Sequence, residues 1–336
     1  MDNLQISLGV IISLVIVALL FDFMNGFHDA ANSIATIVST RVLKPHQAVI
    51  WASAFNFLAY FLFQLTVAKT IGKGTVDPAI VDHYIIFGAL IGAIIWNIIT
   101  WYYGIPSSSS HALIGGLVGA AIAKVGFSGL IMSGVLKIIA FIFIAPLLGF
   151  VIGGALMVIV SWLCRNMAPR KVDKYFRRLQ LLSAAAYSLG HGGNDAQKTV
   201  GIIWMLLVAA GLSQASDAAP PPWVVISCYS AMGLGTMFGG WRIVKTMGNR
   251  ITKLNQARGF CANSGGAITL FMATALSIPV STTHTITGAI AGVGSTRGAR
   301  RVRWGVAGGI VWAWILTIPC SASMAAMAWY IGTLLL

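Results

Sequence analysis

The amino-acid sequence predicts an all-α integral membrane protein, with about ten to twelve transmembrane segments in two inverted repeats with broken or re-entrant helices. Three observations predict this class. The composition leaves almost no polar surface, long charge-free runs alternate with basic connections, and two motifs of the first half recur in the second.

The composition comes first. Of 336 residues, 57% are hydrophobic and only 9% charged, where a soluble domain carries about a quarter charged. A formal net charge of +14 would suit a nucleic-acid binder only if it were spread over a polar surface. Nucleic acid is therefore excluded as a partner, and the lipid bilayer takes its place. Cys164, Cys228, Cys261 and Cys320 stand singly, without the spacing of a metal knuckle or disulfide framework, so no metal ligand and no cofactor is expected. The apolar start at 4–21 follows Asp2, lacks a basic leader and cleavage site, and reads as membrane, not signal peptide.

Charge-free runs follow near 46–68, 84–103, 105–123, 138–163, 199–216, 222–240, 259–276, 278–296 and 304–336. Each approaches the roughly 20 residues that a helix needs to cross hydrocarbon. Pro146 and Pro319 fall inside two of them and predict tilted or broken helices. Most of the 22 Lys and Arg residues lie at 41–44, 165–178, 242–258 and 297–303. Those connections are expected on the cytoplasmic side. The connections at 69–83, 124–133 and 212–221 are poor in positive residues and belong outside, with both termini.

The repeat is the third observation. NGFHDAANSIA from Asn25 aligns with HGGNDAQKTVG from His191, matching Gly26 with Gly192 and Asp29 with Asp195. IPSSSSHALIGGLVG from Ile105 aligns with IPVSTTHTITGAIAG from Ile278, matching Pro106 with Pro279, Ser108 with Ser281 and His111 with His284. The halves are 1–164 and 179–336, joined by a basic loop at 165–178. Equivalent connections fall on opposite faces, as in transporters that hold substrate near the midplane.

Ionisable groups inside apolar segments are costly and functional by default. Asp29, Asp195 and Lys198 are the ones that cannot snorkel. A structural Asp–Lys pair between helices is the bland alternative; glycines beside each aspartate predict unwound backbone, and the functional reading is cation binding or protonation at Asp29 and Asp195, with Lys198 as the partner of an anion or a fixed substitute for a second cation. His28, beside Asp29, is the histidine best placed to share a proton, whereas His111 and His284 suit buried neutral rings bonding a carbonyl. After each proline a run of hydroxyls predicts a helix restarting inside the membrane, its N–H groups and dipole directed at an anion. The expected anion ligands are Ser107, Ser108, Ser109 and Ser110 on one side and Ser281, Thr282 and Thr283 on the other. Gly115, Gly119, Gly288 and Gly292 suit close helix contact.

These motifs, with WNIITWYYGIPSSSSHALIG at 96–115 and GHGGNDAQK at 190–198, resemble the inorganic phosphate transporter (PiT) family, and within it the bacterial low-affinity branch. The resemblance spans both halves. It implies a secondary active symporter of inorganic phosphate in the inner membrane, and adds Asn194 and Gln197 to the phosphate ligands and Asn32 to the cation-coupling set. Sodium-coupled members carry G-x-N-D in both repeats, with Asn three residues after Asp. Here His28 precedes the first Asp and Lys198 takes the later place in the second repeat. A fixed ammonium disfavours sodium, so proton coupling leads, with co-transport of a divalent metal–phosphate complex and sodium coupling as alternatives. A homodimer is admitted among the partners.

Another oxyanion such as sulfate is the rival substrate; phosphate is favoured because it keeps a proton to donate to a carboxylate. An intramembrane enzyme lacks a nucleophile turn and would not need every candidate residue twice. A passive pore would not need buried aspartates.

Overall fold

The protein is described by a computed structural model covering residues 7–214, 217 and 219–335. Residues 4–6 of the first expected segment and 215, 216 and 218 of an expected outer connection lie outside the described residues, as do Asp2 and residue 336.

Twelve α-helices are found among the described residues. The first half contributes α1 (Leu8–Ser39), α2 (Pro45–Leu58), α3 (Thr66–Gly74), α4 (His83–Tyr103), α5 (Ser109–Val125) and α6 (Met132–Leu163). The second contributes α7 (Pro169–Ala209), α8 (Pro222–Phe238), α9 (Trp241–Lys245) with a π turn at Thr246–Arg250, α10 (Gln256–Ala275), α11 (Thr282–Ser295) and α12 (Trp304–Leu335). Local chemistry sets the ends. Asp82 caps α4 by accepting from the Ile85 amide at 2.9 Å, and Gly104, at φ +65°, closes it in the left-handed conformation that glycine adopts freely.

Five helices, α1, α4, α5 (run on to Gly129), α6 and α12, are long and apolar enough to cross a membrane by themselves. The burial pattern is that of a lipid-embedded protein. Leu8, Ile12, Ile16 and Leu20, spaced one turn apart on α1, are exposed, whereas Asn25, Asp29 and Asn32 on the same helix are buried. Polar groups inside and apolar stripes outside suit hydrocarbon as the solvent.

The two halves are interlocked. α5 packs on α12 and α11 on α6, while α8 packs on α1 and α2 on α7, so each half supplies helices to the other. Glycine makes the contacts close. A Cβ at Gly288 or Gly292 would lie 2.0 Å from the carbonyl oxygens of Pro146 and Phe150, and one at Gly119 would lie 2.2 Å from that of Ala322.

Four features differ from the sequence expectation. Both Asp motifs are regular helix, since α1 and α7 run through Asp29 and Asp195 without a break. Their glycines serve contact instead: a Cβ at Gly26 would lie 2.1 Å from the Met232 carbonyl oxygen, and one at Gly192 would lie 2.3 Å from that of Asn56. Helices α6 and α12 continue through Pro146 and Pro319, which packed neighbours make tolerable. The basic stretch 165–178 is a loop only to Ala168, because Pro169 opens α7 at the first helical position. The run 46–68 is interrupted at 62–65 between a short 3₁₀ turn and α3.

The hairpin α4–α5 opens where Lys124 Nζ meets Asp82 at 2.8 Å. The hairpin α10–α11 opens among Arg258 and Arg297. The two tips meet in the interior, where the His111 and His284 rings lie 4.8 Å apart. The four basic connections share a face: Arg177 donates to the Arg41 carbonyl at 3.1 Å, Gln256 to the Thr40 carbonyl at 3.3 Å, and Thr252 to the Arg301 carbonyl at 3.2 Å.

Candidate functional site

Helices α5 and α11 both begin in the interior, as the proline–hydroxyl–histidine order predicts. Ser108 caps α5 by accepting from the His111 amide at 3.1 Å, and Ser281 caps α11 by accepting from the His284 amide at 3.2 Å. Ser107 to Ser110 and Ser281 to Thr283 are all buried, which places two helix N-termini and their hydroxyls in a sealed interior.

The aspartates complete a quasi-symmetric arrangement. Ser109 of α5 donates to Asp29 Oδ2 at 2.9 Å, and its counterpart Thr282 of α11 donates to Asp195 Oδ2 at 3.0 Å. The next hydroxyl in each run meets the opposite half. Asn32 Nδ2 donates to Thr283 Oγ1 at 2.9 Å and to Thr282 Oγ1 at 3.2 Å. Lys198 Nζ, its counterpart, donates to Ser110 Oγ at 2.6 Å. Ser110 also donates to Asp195 Oδ1 at 3.3 Å, so consecutive serines touch the two carboxylates.

Lys198 is the hub. It pairs with Asp195 one turn earlier on α7 and donates to the Val280 carbonyl at 2.7 Å, so one ammonium spans the starts of α5 and α11. The ion pair lies within α7 rather than between helices, and all three of its donors are engaged.

His28 Nδ1 lies 2.6 Å from Asp29 Oδ1 and Nε2 lies 3.1 Å from Thr100 Oγ1. Thr100 accepts from Ser107 at 2.9 Å. A cleft of about 440 Å³, lined by Thr100, Pro106, Thr246 and Arg250 among others, reaches this chain from the side of Arg250.

Two expected ligands point elsewhere. Asn194 donates to Thr274 Oγ1 at 3.1 Å and accepts from the Val280 amide at 3.3 Å, bracing the non-helical approach to α11. Gln197 accepts from the Val67 and Ala68 amides at 3.0 and 3.3 Å and donates to the Gln64 and Gly193 carbonyls. It serves the open start of α3, where no side chain of α3 itself caps the free amides. Among the described residues the ring of His111 has no hydrogen-bond partner, where a carbonyl contact was expected; it meets the His284 ring edge to face at 4.8 Å, and His284 stacks on Trp314 at 4.0 Å.

Residues beyond the expected set join the site. Asn25 Oδ1 lies 2.6 Å from Ser109 Oγ and shares its single proton with Asp29, while Asn25 Nδ2 donates to Asp22 Oδ1 at 3.5 Å. Asp22 is fully buried, two turns before Asp29 on α1, and pairs with no cation among the described residues. His191 Nε2 lies 3.3 Å from Asp195 Oδ2. Although no metal ligand was expected, Asp29, His191 and Asp195 bring ligand atoms within 4.8 Å of one another. An acid directly after the first apolar run, two helical turns before Asp29 and so on the same helix face, was the available signal for Asp22.

Two inverted hairpins, each aiming a hydroxylated helix start at a buried carboxylate, define the class of an inverted-repeat membrane carrier with a central polar site. The chain belongs to the phosphate transporter family, whose model matches it twice, over residues 25–172 and 164–325. It is 59% identical over 98% of both chains to a Rhizobium meliloti protein named "Probable low-affinity inorganic phosphate transporter", and 47% identical, again over 98% of both, to a Bacillus subtilis protein of the same name. A solved structure, "The sodium-dependent phosphate transporter", superposes with a TM-score of 0.88 at 26% identity, covering 98% of this chain and 100% of that one.

Proposed function

We propose that this multi-pass membrane protein carries inorganic phosphate inward across the cell's inner membrane as a symporter, with a proton as the driving cation. The observation that carries the reading is the charge balance of the sealed site. Asp29 and Asp195 face one ammonium, Lys198. Adding a phosphate anion to that set without a cation would bury uncompensated charge, at a cost of several kcal/mol. Cation and phosphate must therefore enter together, which is symport.

The phosphate lies between the starts of α5 and α11 in this reading. Ser109, Ser110, Thr282 and Thr283 turn their hydroxyls from the carboxylates and from Asn32 toward its oxygens, Ser107, Ser108 and Ser281 frame the two starts, and Lys198 supplies its positive charge. The proton of phosphate donates to Asp29 or Asp195, an interaction that sulfate cannot make at neutral pH.

A proton is favoured over sodium by Lys198 and His28. The ammonium occupies the place that Asn32 holds in the other repeat, where a sodium ion would meet a fixed charge. His28 links Asp29 through Thr100 and Ser107 toward the cleft beside Arg250, a chain along which a proton can pass. Asp22 adds a second buried acid, joined to Asp29 through Asn25 and Ser109; an intramembrane carboxylate without a counter-charge is a recurrent element of proton carriers.

One further reading has its own observation. The convergence of Asp29, His191 and Asp195 suits a divalent cation that travels as a metal–phosphate complex, with the proton still supplying the drive. Uptake of labelled phosphate into proteoliposomes, with magnesium present or chelated by EDTA, tests it: uptake that ignores magnesium removes this reading. Uptake under an imposed pH gradient tests the proton.

A further inference from the structure

A second concentration of chemistry lies away from the transport site, on the face of the basic connections. The connection after α9 and the one between α11 and α12 enclose a cavity of about 330 Å³ lined by Lys253, Arg258, Arg297, Arg300, Arg301 and Arg303. That is at the lower end of the range for small-molecule sites, roughly 300–1,000 Å³. No carboxylate lines it, and none of the six cations forms an ion pair among the described residues.

Arg258 donates to the Lys253 carbonyl at 2.7 Å, but the closure between the two connections is made by backbone and uses none of these charges. The Arg303 amide donates to the Ile251 carbonyl at 3.0 Å to join the two connections. In the first half the corresponding closure is the Ile131 amide on the Thr75 carbonyl at 3.1 Å, and there the neighbouring Lys124 is neutralised by Asp82 at 2.8 Å. One closure is thus charge-balanced while its counterpart gathers six unpaired cations around one space. Orienting the chain in the membrane needs positive residues on a face, but it does not need them to converge. Like charges held together repel until an anion enters, and guanidinium forks match phosphate oxygens two at a time.

We propose that this cavity binds an anion bearing two or more phosphate groups, at a site separate from the transport pathway. Such a ligand would bridge the two connections and hold the end of α11, the helix whose other end begins at Thr282. The same chemistry occurs in soluble polyphosphates and in the headgroup of cardiolipin.

Full-length protein in phosphatidylcholine nanodiscs, titrated calorimetrically with tripolyphosphate, tests the soluble source; native mass spectrometry of protein taken from cardiolipin-containing discs tests the lipid source. The proposal expects one site per chain, tripolyphosphate at least tenfold tighter than orthophosphate, affinity falling with added salt, and a loss of at least tenfold in R297Q/R301Q. These two side chains are exposed, and the singly changed R300Q, expected to weaken binding by a smaller factor, guards against misfolding of the double variant. Binding of tripolyphosphate alone assigns a soluble ligand, and retention of cardiolipin alone, lost in the variants, assigns a lipid. If neither probe distinguishes the wild type from either variant, the proposal fails.

Discussion

Lys198 of α7 donates a hydrogen bond to Ser110 at the start of α5, 2.6 Å away, so the ammonium of one half rests on the helix start of the other. The same side chain pairs with Asp195 and reaches the Val280 carbonyl ahead of α11. Phosphate competes with these acceptors for one charge. Buried in protein with its partner, Lys198 cannot be lost cheaply: Lys198→Met leaves Asp195 uncompensated and should cost about 3–5 kcal/mol of stability. Combining it with Asp195→Asn should recover much of that loss, and a double-mutant cycle in thermal unfolding measures it. Neither variant should accumulate phosphate.

The symmetry of the two helix starts makes a paired prediction. Ser109→Ala removes the donor to Asp29 and Thr282→Val removes the donor to Asp195. Each should weaken phosphate transport by about 1–3 kcal/mol, or roughly fivefold to 150-fold. Concentration-dependent uptake in proteoliposomes reads the effect, and a wild-type response from both variants would move the anion away from α5 and α11. Ser108 and Ser281 are less discriminating probes, since each also caps a helix, worth about 1 kcal/mol of stability.

Asp22 separates coupling from binding. It lies two turns from Asp29 and touches neither helix start, so Asp22→Asn should preserve exchange of phosphate for phosphate while reducing accumulation under a pH gradient. Asp29→Asn should weaken both, accumulation more than exchange. The comparison is made on one preparation of proteoliposomes, and equal losses of exchange and accumulation in Asp22→Asn would remove it from the proton route.

The shared face of the basic connections gives a topological prediction. In a chain stripped of its four native cysteines, a cysteine at Lys171 should react with an impermeant thiol reagent only after cells are permeabilised. Labelling in intact cells would invert the orientation.

Much of this was legible in the sequence because the signals were local. A proline, hydroxyls and a histidine specify a capped helix start through contacts three residues apart, and Ser108 and Ser281 make those contacts. The aspartates stood out because charge inside an apolar run is costly. What escaped depends on partners far along the chain. Gln197 caps the start of α3 some 130 residues away, which no pattern around it announces. The glycines beside each aspartate suggested unwound backbone, but the same residue type permits close approach, and only the positions of Met232 and Asn56 decide between the two. Asp22 falls just past the first charge-free run and has no counterpart in the second half, where Ser188 stands, so neither the run nor the repeat drew attention to it.

The coupling ion is tested most directly by uptake of labelled phosphate into proteoliposomes with pH and sodium gradients imposed separately at equal osmolarity. Proton coupling through Asp29, with Lys198 fixed where sodium would sit, predicts uptake that follows the pH gradient, acid outside, and is indifferent to sodium. Uptake that follows an imposed sodium gradient and ignores the pH gradient would contradict it, and would leave Lys198 as a phosphate ligand only.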